Sequence, residues 1–143
     1  MEKRDYLMDQ IEHLGQALAQ IFSKLFGLSN EGKVPEAIEM TSQSLKTELG
    51  LDLTEISSIP KGDLISTLQN DKKLNYANLE LLANILLLVA DETCIDNPES
   101  EEGLNLYSKC LEIYSHLNER DLTYSFERES KIARIQSILL QSI

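Results

Sequence analysis

The chain has 143 residues, 42% of them apolar, and 24 acids against 13 lysines and arginines give it a net charge of −11. That length and apolar content suffice for one domain with its own core, without disulfide or metal staples. No cluster of Lys and Arg exists to neutralise phosphates, so neither nucleic acid nor an anionic membrane is an expected partner; a basic one fits better.

Only three prolines and six glycines interrupt the chain, and Leu, Ile, Glu, Ser and Lys are abundant, so it leans toward helix. A first helix is predicted over residues 5–28. Leu7, Ile11, Leu14, Leu18, Ile21, Leu25 and Leu28 alternate steps of four and three. Met8, Gly15, Phe22 and Phe26 widen the stripe beyond a simple two-stranded seam. This helix either packs along its own domain or supplies the seam of a homodimer.

Ser29-Asn30-Glu31-Gly32 breaks that helix, and Pro35 suits the first turn of a second one over 35–49, stopped by Gly50. Residues 51–59 read as a loose apolar connection with room for one turn capped by Asp52. Pro60 opens a short third helix, 60–70. The fourth, 76–93, is apolar on nearly every side: between Leu79 and Ala90 only Glu80 and Asn84 are polar, as expected of a helix wrapped by others.

The acidic loop DETCIDNPESEE leads into a fifth helix over 98–117, with Asp96 or Asn97 as its cap. Two adjacent stripes mark that helix, Leu104/Tyr107/Leu111/Tyr114 and Leu106/Cys110/Ile113/Leu117. The last helix, 121–142, alternates charge with Phe126, Ile132, Ile135, Ile138 and Leu139 and reads as a solvated cap on the array.

An internal repeat organises these pieces. Glu36-Ala37-Ile38-x-Met40-x-Ser42-x-Ser44-Leu45 returns 66 residues later as Glu102-Gly103-Leu104-x-Leu106-x-Ser108-x-Cys110-Leu111. Each phrase places small and apolar residues on one helical face, the mark of stacked helical hairpins.

Gly32-Lys33-Val34-Pro35-Glu36-Ala37-Ile38 and Tyr107-Ser108-Lys109-Cys110-Leu111-Glu112-Ile113 resemble the second helix of tetratricopeptide repeats. The small positions hold Ala37 and Ser44, then Gly103 and Cys110. The Trp, Leu-Gly and Tyr signature of the first repeat helix is missing, and no proline closes either unit. Over nearly its full length the chain also resembles a small uncharacterised bacterial family of all-helical proteins, through Asp5-Tyr6-Leu7-Met8 and Ile11-Glu12. The resemblance implies a fold of tetratricopeptide-like hairpins and no particular chemistry.

Motifs for catalysis are missing. His13 and His116 lie on different predicted helices, neither in a nucleophile setting, and His116 suits the C-terminal end of its helix. Cys94 and Cys110 are sixteen residues apart without the paired Cys/His spacing of a zinc site. Cys110 belongs to a core stripe, and acids beside Cys94 disfavour its thiolate. The span Asp91 to Glu102 has the length of a calcium loop but carries Thr93, Ile95 and Asp96 where ligands and a glycine are needed. The glycines form no phosphate cradle.

Glu80 and Asn84, four residues apart, share one face of the most apolar helix and cannot be buried unpaired without a cost of a few kcal/mol. They therefore meet an internal partner, lie on an exposed strip, or line a groove that holds another protein.

The sequence thus predicts a single all-α domain over 1–143: a right-handed, tetratricopeptide-like array of five or six antiparallel helices. The expected function is non-catalytic protein–protein interaction, as adaptor or scaffold. Its partner would be a basic or extended segment, recognised with Glu80 and Asn84. The alternative is a regulatory module sensing a small molecule between helices. No enzyme activity, metal or cofactor is expected. The start lacks a secretory apolar core and no apolar run spans a bilayer, so a cytoplasmic setting with reduced thiols is expected.

Overall fold

The computed structural model describes residues 2–120 and 125–142, and every regular element among them is helical. Seven α-helices are present among the described residues: α1 (Glu2–Asn30), α2 (Val34–Leu49), α3 (Leu53–Ser58), α4 (Leu64–Ser66), α5 (Tyr76–Asp96), α6 (Glu101–Arg120) and α7 (Phe126–Gln141). A π-helical turn, Thr67–Asp71, continues from α4.

Local chemistry sets the boundaries. Pro35 sits in the first turn of α2, and Gly50 ends that helix in the left-handed conformation at φ +78° while its N–H bonds the Lys46 carbonyl. Within the connection over 51–59, the turn expected to be capped by Asp52 is present as the six-residue α3. Asp52 accepts the Glu55 N–H at 2.8 Å and Glu55 accepts the Asp52 N–H at 3.1 Å, a reciprocal cap strong enough to start it. The predicted helix over 60–70 resolves into the short α4 and the π turn.

Two further boundaries differ from expectation. The helix predicted from 98 starts at Glu101, because Asn97 and Pro98 form a turn in which Asn97 Oδ1 accepts the Glu99 N–H at 3.3 Å. Ser100, not Asp96 or Asn97, holds the start of α6 by accepting the Gly103 N–H at 3.2 Å. Asp96 instead completes α5. The last helix begins at Phe126, with Ser125 accepting the Arg128 N–H; the start expected at 121 lies outside the described residues.

Side-chain pairings give the helix directions. Asn78 meets Ile11 and Ser29 meets Glu92, so α1 and α5 run parallel. His13 beside Glu48 sets α2 antiparallel to α1, and Tyr107–Asp91 with Tyr114–Asn84 sets α6 antiparallel to α5. Asn118–Glu129 turns α7 back along α6. The main packing contacts are α1 with α2, α1 with α5, α5 with α6, and α6 with α7, while α3 touches both α2 and α6.

The core follows from this layout. Nine residues of α5 are buried, including Leu79, Leu82, Ile85, Leu86 and Ala90, as its all-round apolar sequence requires. The repeat is also realised in space. Ala37 and Gly103 are both buried, as are Thr41 and Tyr107, and each pair lies on the second helix of a hairpin, α1/α2 or α5/α6.

Candidate functional site

The polar groups of α5 converge with α6 and α7 in a seam of three rungs. In the first, Arg128 donates from Nε and Nη2 to Glu80 Oε2 and Oε1 at 3.2 and 2.5 Å, and from Nη1 to Asn118 Oδ1 at 3.1 Å. In the second, Asn84 Oδ1 accepts from Lys131 Nζ at 3.0 Å and from the Tyr114 hydroxyl at 2.5 Å. In the third, Arg134 grips Asp91 with two parallel bonds of 2.8 and 3.0 Å, and the Tyr107 hydroxyl donates to Asp91 at 2.5 Å.

Helical spacing explains the register. Arg128, Lys131 and Arg134 are three residues apart, which keeps them on one face of α7. Glu80, Asn84 and Asp91 are four and seven apart on α5, so they form a matching row. The planar guanidinium of Arg134 suits the bidentate grip on a carboxylate. Lys131 adds a cation–π contact, its Nζ 5.7 Å from the Tyr114 ring centre.

The electrostatics of the seam favour fixed protonation states. Burial, with the Asp91 bond second, pushes the Tyr107 hydroxyl well above its ordinary range, and burial does the same to Tyr114. The bond to Asp91 holds Arg134 still more firmly protonated. These groups act as donors and acceptors at neutral pH.

Glu80 and Asn84, singled out by the sequence, thus both take internal partners, on α7 and α6. The partners lie 30 to 48 residues away, which sequence spacing cannot reveal. The basic row on α7 was nonetheless visible as a three-residue period within a segment read only as alternating charge.

Beside the seam runs a groove of about 220 Å³, floored by Phe22 and Phe26 of α1 with Leu87 and Leu88 of α5, and edged by Asn84, Asp91 and Lys131. The Phe22 and Phe26 rings stack at 6.3 Å, and Phe26 remains 51% exposed. Asn84 borders this groove, whereas Glu80 does not line it.

The remaining candidates for chemistry lie apart. His13 is exposed on α1 beside Glu48 at 3.7 Å. His116 is packed edge-on against Tyr76, and burial, then Arg120, lowers its pKa, which favours its neutral form. Cys110 is buried with its thiol donating to the Ala83 carbonyl, and burial pushes its pKa far up. Burial, then Asp91, raises that of Cys94. Among the described residues no three His, Cys, Asp or Glu side chains converge to hold a metal ion. No helix of the described residues is long and apolar enough to cross a membrane.

Comparison with protein-family models, with curated proteins and with solved structures gave no match to this chain.

Proposed function

We propose that the chain is a non-catalytic protein–protein interaction module, built from tetratricopeptide-like hairpins, that binds a basic helical or extended segment of another protein. One observation carries this reading: α5 already holds a row of basic side chains, Arg128, Lys131 and Arg134, on Glu80, Asn84 and Asp91. A surface that organises cations at helical spacing within the molecule has the chemistry to recognise them on a partner.

The groove between α1 and α7 supplies the apolar part of such a site. Phe22, Phe26, Leu87 and Leu88 offer a floor for an aliphatic or aromatic anchor, beside an edge where Asn84 and Asp91 already hold Lys131 and Arg134. This groove is open to solvent, which suits a polypeptide better than an enclosed small molecule. The parallel α1, α5 and α7 with the antiparallel α2 and α6 support the hairpin comparison, and the α3–α4 segment departs from it.

The test is affinity capture of the tagged chain from its own cells, followed by mass spectrometry. A Phe26→Ser variant serves as control, because Phe26 is exposed and its loss should spare the core. A protein captured by the wild type and lost with Phe26→Ser is the expected result. A small molecule retained in native mass spectrometry, with no protein dependent on Phe26, would overturn the reading.

A further inference from the structure

Helix α1 outruns its own domain. At 29 residues it is about 44 Å long, against about 24 Å for the 16 residues of α2. Cover from α2 reaches its end where Glu48 meets His13, and cover from α5 ends where Asn78 Nδ2 donates to the Ile11 carbonyl at 3.1 Å. No residue from Asp5 to Gln10 is buried.

A projecting helical end in water should be polar, and this one is not. Tyr6, Leu7 and Met8 are 63%, 47% and 53% exposed. Leu7 and Met8 continue the stripe of Ile11, Leu14 and Leu18, whose inner members enter the core. Between them and the opposite wall lies an open groove of about 810 Å³, with Leu7, Ile11, Leu14 and Leu74 along it.

Charge separates the two sides of this feature. The projecting end carries Asp5, Asp9 and Glu12, while the opposite wall of the groove carries Lys72 and Lys73. The wall is shaped by unusual backbone: the π turn Thr67–Asp71 leads into Lys73 at φ +62°, a conformation few non-glycine residues adopt. That turn sets two adjacent lysines at the rim of an apolar groove.

We infer that a second copy of this chain occupies the groove with its own projecting end of α1, in a symmetric pair. Each copy then lays Leu7 and Met8 into the other's groove and sets Asp5 and Asp9 against the partner's Lys72 and Lys73. The ridge is acidic and apolar. The groove has Asp9 and Glu48 in its lining, but its wall opposite α1 carries Lys72 and Lys73, and ridge and groove belong to one contiguous patch. A two-fold arrangement therefore satisfies both at once and leaves no further copy to add. A small ligand filling the groove would still leave Met8, which does not line it, in water. This surface lies at the opposite end of α1 from Phe22 and Phe26 and is independent of the proposed partner site.

The test is sedimentation equilibrium of the full chain over a range of concentrations. The expected mass is twice the 16.2 kDa of one chain, with dissociation favoured by added salt. Leu7→Glu should give a monomer. Asp5→Lys/Asp9→Lys and Lys72→Glu/Lys73→Glu should each weaken the dimer at least tenfold, and combining all four changes should restore it to within a few fold. Circular dichroism confirms that each variant keeps its helical content. A wild-type monomer at high micromolar concentration would overturn the inference. So would a dimer indifferent to Leu7→Glu, or one weakened by both charge reversals without restoration in the combination.

Discussion

A Cβ placed on Gly103 of α6 would stand 2.5 Å from the sulfur of Cys94 on α5 and 3.3 Å from Thr93 Cγ2. The two helices of this hairpin approach closely there, where the chain leaves α5 and returns as α6. Gly103→Ala should therefore destabilise the fold by about 1–3 kcal/mol through overpacking. Cys94→Ala introduced on that background should recover part of the loss. Urea unfolding of the wild type, both single variants and the double variant measures the coupling, and simple additivity would refute the contact as the cause.

Arg128 is 6% exposed in its side chain, whereas its partner Glu80 retains 30%. Losing Arg128 leaves a carboxylate that water can still reach, so the cost is below that of a fully buried pair. Arg128→Ala should destabilise by about 1–2 kcal/mol, and Glu80→Gln added to it should cost little more. Denaturant unfolding of the four proteins in the cycle reads the coupling. Hydrogen exchange in α7 should also rise in Arg128→Ala before exchange in α5 does.

Asp52 and Glu55 hold the first turn of α3 by mutual bonds to each other's backbone N–H. Asp52→Ala removes one acceptor and should cost about 1 kcal/mol, with Asp52→Asn costing less. Thermal unfolding would show it as a lowered midpoint for the alanine variant. Equal midpoints for Asp52→Ala and the wild type would mean that α3 is held by Leu53 and Ile56 alone.

His116 titrates below its ordinary value because burial opposes its charged form. The unfolded chain then binds the proton more readily than the folded one. The stability this group protects is fully present above its unfolded pKa, near 6.5, and falls as pH drops through and below that value. The urea midpoint should decline between about pH 7.5 and about pH 5.5. His116→Phe, which keeps a ring against Tyr76, should flatten the decline; an unchanged slope would assign it to other groups.

How far the sequence could be read depended on whether a feature was local. The burial of α5 followed from its composition, the repeat marked α2 and α6, and Gly50 marked an end. Residues 51–59 showed α3 only as one turn capped by Asp52, because Leu51, Leu53 and Ile56 show no long helical period. Pro98 suggested a helix start that the Asn97 turn forestalls. The seam was the least legible part. Glu80 and Asn84 stood out as polar, yet Tyr114 reaches Asn84 only after one chain reversal, and Arg128 and Lys131 reach the pair only after two.

Helix α3 touches α2 on one side and α6 on the other, while α1 and α5 join the same two hairpins along a separate interface. The contacts therefore close a circuit, α1 to α5 to α6 to α3 to α2 and back to α1. Simple stacks of hairpins flex and unravel like a spring, because each unit leans on its neighbour through one interface. Here neither hairpin can swing without breaking two interfaces together. The strap between them braces the two hairpins into a closed frame that keeps the spacing of its surface features fixed.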